Sequence, residues 1–159
     1  MGAPRIVVSI ATTLSGRLPP GFYEALFGAV FFIYITVVTL SYVLKDQRVT
    51  GDTLYGAICV YILLGITWSF FYVLEGSMFA GAFSFVQEHH VDNVLDWPDF
   101  VYYSFVTLTT LGYGDITPVT QTSRILAFME AVVGQVYLTI IIARLVGLYI
   151  SRTFVGTDK

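Results

Sequence analysis

Three stretches of this chain are long, apolar and almost free of charge: Phe22 to Leu44, Thr53 to Leu74, and Arg124 to Ile150. A helix rises about 1.5 Å per residue, so about 20 mostly apolar residues cross a bilayer, and each stretch meets that length. Glu24 stands at the edge of the first, the second carries no charge, and the third is interrupted only by Glu130, Gln135 and Arg144. Backbone amides in lipid must bond within their own segment, so these spans read as helices. Composition supports this: 56% of residues are hydrophobic and 12% charged, against about 25% charged in soluble domains. Eight Lys and Arg against eleven Asp and Glu leave no basic footprint, so no nucleic-acid partner is expected. The single cysteine, Cys59, cannot form an intramolecular disulfide. The composition excludes a soluble enzyme or a disordered tail; an all-α, multi-pass membrane protein in contact with membrane lipids remains.

A fourth apolar stretch, Phe100 to Leu111, is too short at twelve residues to cross alone. Lying between two spans, it reads as a re-entrant segment, whose irregular backbone must be shielded by protein or line water. The expected organisation is an N-terminal segment at 1–20, an extra span at 21–45, an outer helix at 53–75, a connecting turret at 76–97, a re-entrant helix at 98–110 with a loop at 110–115, and an inner helix at 122–151. Ile6 to Leu14 is too short to span, and the N-terminal segment reads as the remnant of a longer chain. Helices that preceded it, or a cytoplasmic regulatory partner, are left open.

Charge gives the sidedness. Lys45 and Arg48 flank the first hinge, and Arg152 and Lys159 follow the last span. Between Arg48 and Arg124 there is no Lys or Arg, while Asp52, Glu75, Glu88, Asp92, Asp96, Asp99 and Asp115 all fall in that interval. Positive charge favours the cytoplasmic side, so hinge and tail are expected inside and residues 75–121 outside. The first span then starts outside, which leaves Arg5 and Arg17 on the less usual face. The expected location is a cell membrane, that of a bacterial inner membrane.

The re-entrant stretch ends Thr107-Leu-Thr-Thr110-Leu111-Gly112-Tyr113-Gly114-Asp115. With this run the chain resembles the pore domain of potassium channels, whose filter reads Thr-x-x-Thr-x-Gly-Tyr-Gly-Asp; the match is complete and the resemblance covers about residues 53 to 150. An ion entering hydrocarbon exchanges its water for oxygens, which a ring of backbone carbonyls supplies. Turning successive carbonyls to one side needs alternating backbone handedness, and Gly112 and Gly114 take positive φ at little cost. By resemblance, four copies surround bound potassium ions, the carbonyls of Thr110, Leu111, Gly112 and Tyr113 line the sites, and the Thr110 hydroxyl closes the innermost. The side chains of Leu111 and Tyr113 would brace the loop, and Asp115 would cap the outer mouth. Thr107 is expected to support the filter from the re-entrant helix. Tyr102 and Tyr103 resemble the aromatic cuff around the filter tyrosine; ordinary interfacial aromatics are the alternative. Val106 stands where many simple bacterial channels carry a glutamate that pairs with the aspartate. Asp115 must therefore find another partner, and altered slow inactivation is expected.

On the inner helix, Gly134 falls where the family has its hinge glycine, close helix packing being the other reading. At about 100° per residue, Gln135, Leu138, Ile142 and Val146 share a stripe, which by resemblance faces the cavity. Glu130 lies about 140° off that stripe, behind the pore, within reach of Ser104, Thr107 or a neighbouring chain; it is either a gating carboxyl or a protonated packing group. Arg144, on the opposite side, is expected to snorkel to lipid phosphates. His89 and His90, with Glu88 and Asp92, read as a solvated face rather than a metal site. The first span lacks arginine at every third position, so it is not a voltage sensor. The resemblance implies passive, potassium-selective conduction by a homotetramer and no enzyme activity. A non-selective cation pore, or a scaffold that keeps the fold without conducting, are the alternatives.

Overall fold

A computed structural model describes residues 21–45, 51–85 and 95–155, and these described residues form four helices and one short two-stranded ribbon. Helix α1 (Phe22–Lys45) and helix α2 (Gly51–Met78) run antiparallel. Strand β1 (Phe83–Phe85) follows, then the re-entrant helix α3 (Trp97–Leu108), strand β2 (Ile116–Pro118) and the long helix α4 (Gln121–Val155). Helices α1, α2 and the first 28 residues of α4 are each long and apolar enough to cross a membrane. The turret residues Glu88, His89, His90 and Asp92, the hinge around Arg48 and the segment Ile6 to Leu14 lie outside the described residues.

Small residues let the spans approach closely, as membrane helices require where no hydrophobic force drives them together. A Cβ on Gly28 of α1 would come within 2.4 Å of the Phe70 ring of α2, and one on Gly56 within 2.7 Å of Val43. Between these contacts the hydroxyls of Thr36 and Thr67 meet at 3.4 Å, and Phe32 stacks on Phe70 with centroids 5.4 Å apart. Near the other end of the same interface Val43, Ala57, Val60 and Ile141 form one apolar cluster, so α1, α2 and α4 share a core.

The second core lies around α3. Tyr72, Phe83, Phe100 and Tyr103 meet edge to face, with Tyr72 and Tyr103 centroids 4.8 Å apart. Such aromatic pairs add about 0.5–1.5 kcal/mol each beyond burial. Phe83 belongs to the stretch 76–97, which the sequence marks only as a connecting turret. There β1 pairs antiparallel with β2, Phe83 opposite Pro118 and Phe85 opposite Ile116. The Ala82 carbonyl extends the ribbon, accepting from Val119 N at 2.8 Å and from the buried Ser123 hydroxyl at 3.0 Å. A three-residue strand has too little alternation to be read from sequence; its partner is what creates it.

Arg144 departs from expectation as well. Its guanidinium donates to the carbonyls of Val43 (2.6 Å) and Leu44 (2.5 Å) of α1, partners the lipid-phosphate expectation does not include. These are among the last carbonyls of α1, which have no partner within the helix. A cation there also meets the negative end of the helix dipole.

Candidate ion pathway

Helix α3 begins at Trp97 with Pro98 in its first turn, and the Asp99 carboxylate accepts from the Asp96 backbone N–H at 2.7 Å. Proline and an acid in this turn both favour a helix start. The helix ends at Leu108, two residues before the sequence boundary, because Thr109 and Thr110 turn out of it. The Thr109 backbone N–H bonds the Phe105 oxygen at 3.1 Å and that of Thr110 the Thr107 oxygen at 2.9 Å. Leu111 N and Gly112 N both reach the Val106 oxygen, at 2.9 and 3.3 Å. The loop therefore hangs from the carbonyl end of α3. Val106 holds it through the main chain, and Thr107 contributes a carbonyl.

Beyond that anchor the backbone alternates. Thr110 has φ +59°, Gly112 +59° and Gly114 +80°, with Leu111 and Tyr113 between them at negative φ. Apart from the adjacent residues, no atom of the same subunit lies within 4 Å of where a Cβ on Gly112 or Gly114 would sit. Within the subunit, glycine is needed there for conformation. Thr110 is β-branched and left-handed, an uncommon combination for which the sequence offers no sign. Leu111 and Tyr113 are 55% and 67% exposed on the protomer, so their side chains are not buried against their own subunit.

At the loop's outer end Asp115 is satisfied from two sides. Tyr102 Oη donates to Oδ2 at 2.7 Å, and the Ile116 backbone N–H donates to Oδ1 at 3.0 Å. Tyr102 thus occupies the role left open by Val106. The hydrogen bond to Asp115, more than burial, pushes the Tyr102 hydroxyl up to about 12. Tyr103 lies 5% exposed in the protomer's own aromatic core, against Tyr72 and Phe83.

The inner helix touches α3 from behind. A Cβ on Gly134 would lie 2.5 Å from the Leu108 oxygen, so the structure gives this glycine a close-packing contact at the base of the loop, within a helix unbroken from Gln121 to Val155. One turn earlier, Glu130 is fully buried, accepts a hydrogen bond from Tyr72 Oη and lies 2.5 Å from Ser104 Oγ through Oε1. Ser104 was foreseeable as a partner; Thr107 is not one, and Tyr72 is an unforeseen one, a single tyrosine among eleven. Gln135, Ile142 and Val146 are exposed on the protomer and Leu138 is half-buried. Among the described residues no cluster of His, Cys, Asp and Glu has the arrangement of a metal site.

A family model described as an ion channel matches residues 71–151, which is 81 of the 159 residues and takes in the end of α2, the ribbon, α3, the loop and nearly all of α4. The chain belongs to that ion channel family and is a multi-pass membrane protein with an all-α channel fold. Two-pore potassium channel 4 of Arabidopsis thaliana is similar to it, 42% identical over 53 residues, which are 33% of this chain and 19% of the relative. The chain thus matches about a fifth of that relative's length. No solved structure matches.

Proposed function

We propose that the protein conducts potassium ions passively and selectively across a cell membrane, through a pore built by four copies of the chain. The observation that carries this is the alternating backbone from Thr110 to Gly114, hung from the carbonyl end of a helix that stops short of crossing. Alternation turns successive carbonyls of Thr110, Leu111, Gly112 and Tyr113 to one side, and such oxygens replace the hydration shell of a potassium ion. The negative end of α3 favours a cation nearby. One protomer supplies only one wall of such a site, so several must converge. The exposed Leu111 and Tyr113 side chains supply surface for neighbouring copies to cover. Similarity to a protein named a potassium channel supports the choice of ion, and the acidic interval between Arg48 and Arg124 supports cation accumulation at the mouth. The inner-helix stripe of Gln135, Leu138, Ile142 and Val146 lines the cavity in this reading, with Gln135 as its neutral polar group.

Purified protein in liposomes with an outward potassium gradient tests the reading. Barium-blockable potassium flux with little sodium flux is expected, together with a tetramer in mild detergent that potassium stabilises. Equal sodium and potassium flux would overturn selectivity, and no flux would favour a non-conducting scaffold.

A further inference from the structure

The buried carboxyl of Glu130 belongs to no part of the conduction path, yet it joins three elements. It sits on α4, receives the Tyr72 hydroxyl from α2 and touches the Ser104 hydroxyl of α3. Ser104 is itself fully buried and also lies 2.7 Å from the Gly65 carbonyl of α2. A serine hydroxyl has one hydrogen, while the Gly65 oxygen and Glu130 Oε1 both stand within its reach. If Glu130 were ionised, the two oxygens would compete for that hydrogen. With a proton on Oε1, every contact becomes a donor–acceptor pair: Tyr72 Oη to Oε2, Oε1 to Ser104 Oγ, and Ser104 Oγ to the Gly65 oxygen. The groups facing the carboxyl give no compensation for a negative charge. From α2 these are Tyr72 and, further off, Tyr61; from α3, Tyr103; no described basic side chain pairs with it. An unpaired charge inside a membrane protein is expensive.

The same spot fixes the height of α3. A Cβ on Gly65 would fall 2.7 Å from the Phe105 ring, so Ser104 and Phe105 together dock α3 on α2. Two residues further along, the Val106 and Thr107 carbonyls hold the loop.

We propose that Glu130 is a positioning residue of the pore, working as an uncharged carboxylic acid whose proton completes the Ser104–Gly65 bond, and that its ionisation on raising the pH loosens α3 and lowers conduction. The inference rests on the potassium-channel reading above. When the proton leaves to water, the Ser104 hydrogen turns from the Gly65 oxygen to the carboxylate. The docking of α3 then loses its polar half.

The test uses the full chain in liposomes, with potassium flux followed as the pH is raised but kept below the ordinary tyrosine value of about 10. Wild type should lose most of its flux reversibly. Glu130→Gln, whose amide donates to Ser104 and accepts from Tyr72, should keep its flux throughout. Difference infrared spectra should show a protonated carboxyl C=O band that fades in step with the wild-type flux and is missing from Glu130→Gln. An identical alkaline loss in both proteins, or no protonated carboxyl band at neutral pH, would overturn the proposal. No wild-type flux at any pH would instead strike the potassium reading, which the infrared titration separates from failure of the tie itself.

Discussion

Every second residue from Thr110 to Gly114 holds a left-handed backbone, and the demand differs from one to the next. Gly112 and Gly114 adopt it freely, whereas a side chain costs about 1–2 kcal/mol per residue. If four copies assemble as proposed, Gly112→Ala is therefore expected to shift a potassium-stabilised tetramer toward monomer, a cost repeated in each copy; gel mobility with and without potassium checks it. Thr110 already bears that strain, held by its backbone bond to Thr107. Tyr102 offers a second residue-scale prediction. Its hydroxyl is held up to about 12 by Asp115, above the ordinary value of about 10. A raised folded value means the tie is intact below about 10 and is lost as the pH passes through about 12. Tyr102→Phe should remove it at every pH and hasten inactivation of the flux, with selectivity retained. The left-handed glycines could be foreseen because only glycine takes that backbone cheaply. Thr110 could not, because nothing in a threonine's identity marks it, and the Tyr72–Glu130 pair could not, because it joins residues 58 apart.

At the scale of elements, the spans could be read from the sequence because length and absence of charge are sufficient for a membrane helix. What joins them could not. The amphipathic stripe puts Arg144 on the face opposite Gln135 but does not say what it meets, and the structure supplies the end of α1. Hydrogen bonds to a charged group contribute about 1.5–3 kcal/mol where buried, and less here because Leu44 is exposed. Arg144→Met should lower the thermal midpoint of the protein and change the open fraction of the proposed channel, with the sodium-to-potassium ratio untouched. Gly134→Ala makes a different demand, since its methyl would press on the Leu108 oxygen at 2.5 Å. It should displace α4 from α3 and reduce flux more than it reduces tetramer stability, as parallel flux and melting curves would show. The β1–β2 ribbon, invisible in three residues of either strand, exists because the chain leaving the loop passes beside Phe83.

For the whole molecule, the arrangement of charge and helices makes one demand on sidedness. With the hinge inside, Lys45 and the C-terminal end of α4 share the cytoplasmic face, and Gly81 and the loop mouth share the outer one. In a Cys59→Ser background, a membrane-impermeant maleimide applied outside should label Gly81→Cys and spare Lys45→Cys; the reverse pattern would invert the topology. The hold of Arg144 on α1 has its own consequence at this scale. Its acceptors are main-chain oxygens, so the grip is indifferent to which side chains stand at positions 43 and 44. Those positions can drift during evolution as far as packing at Val43 allows, while the arginine cannot. Across a set of related proteins the pairing would leave no correlated substitutions, only a solitary basic residue kept beside partners that change.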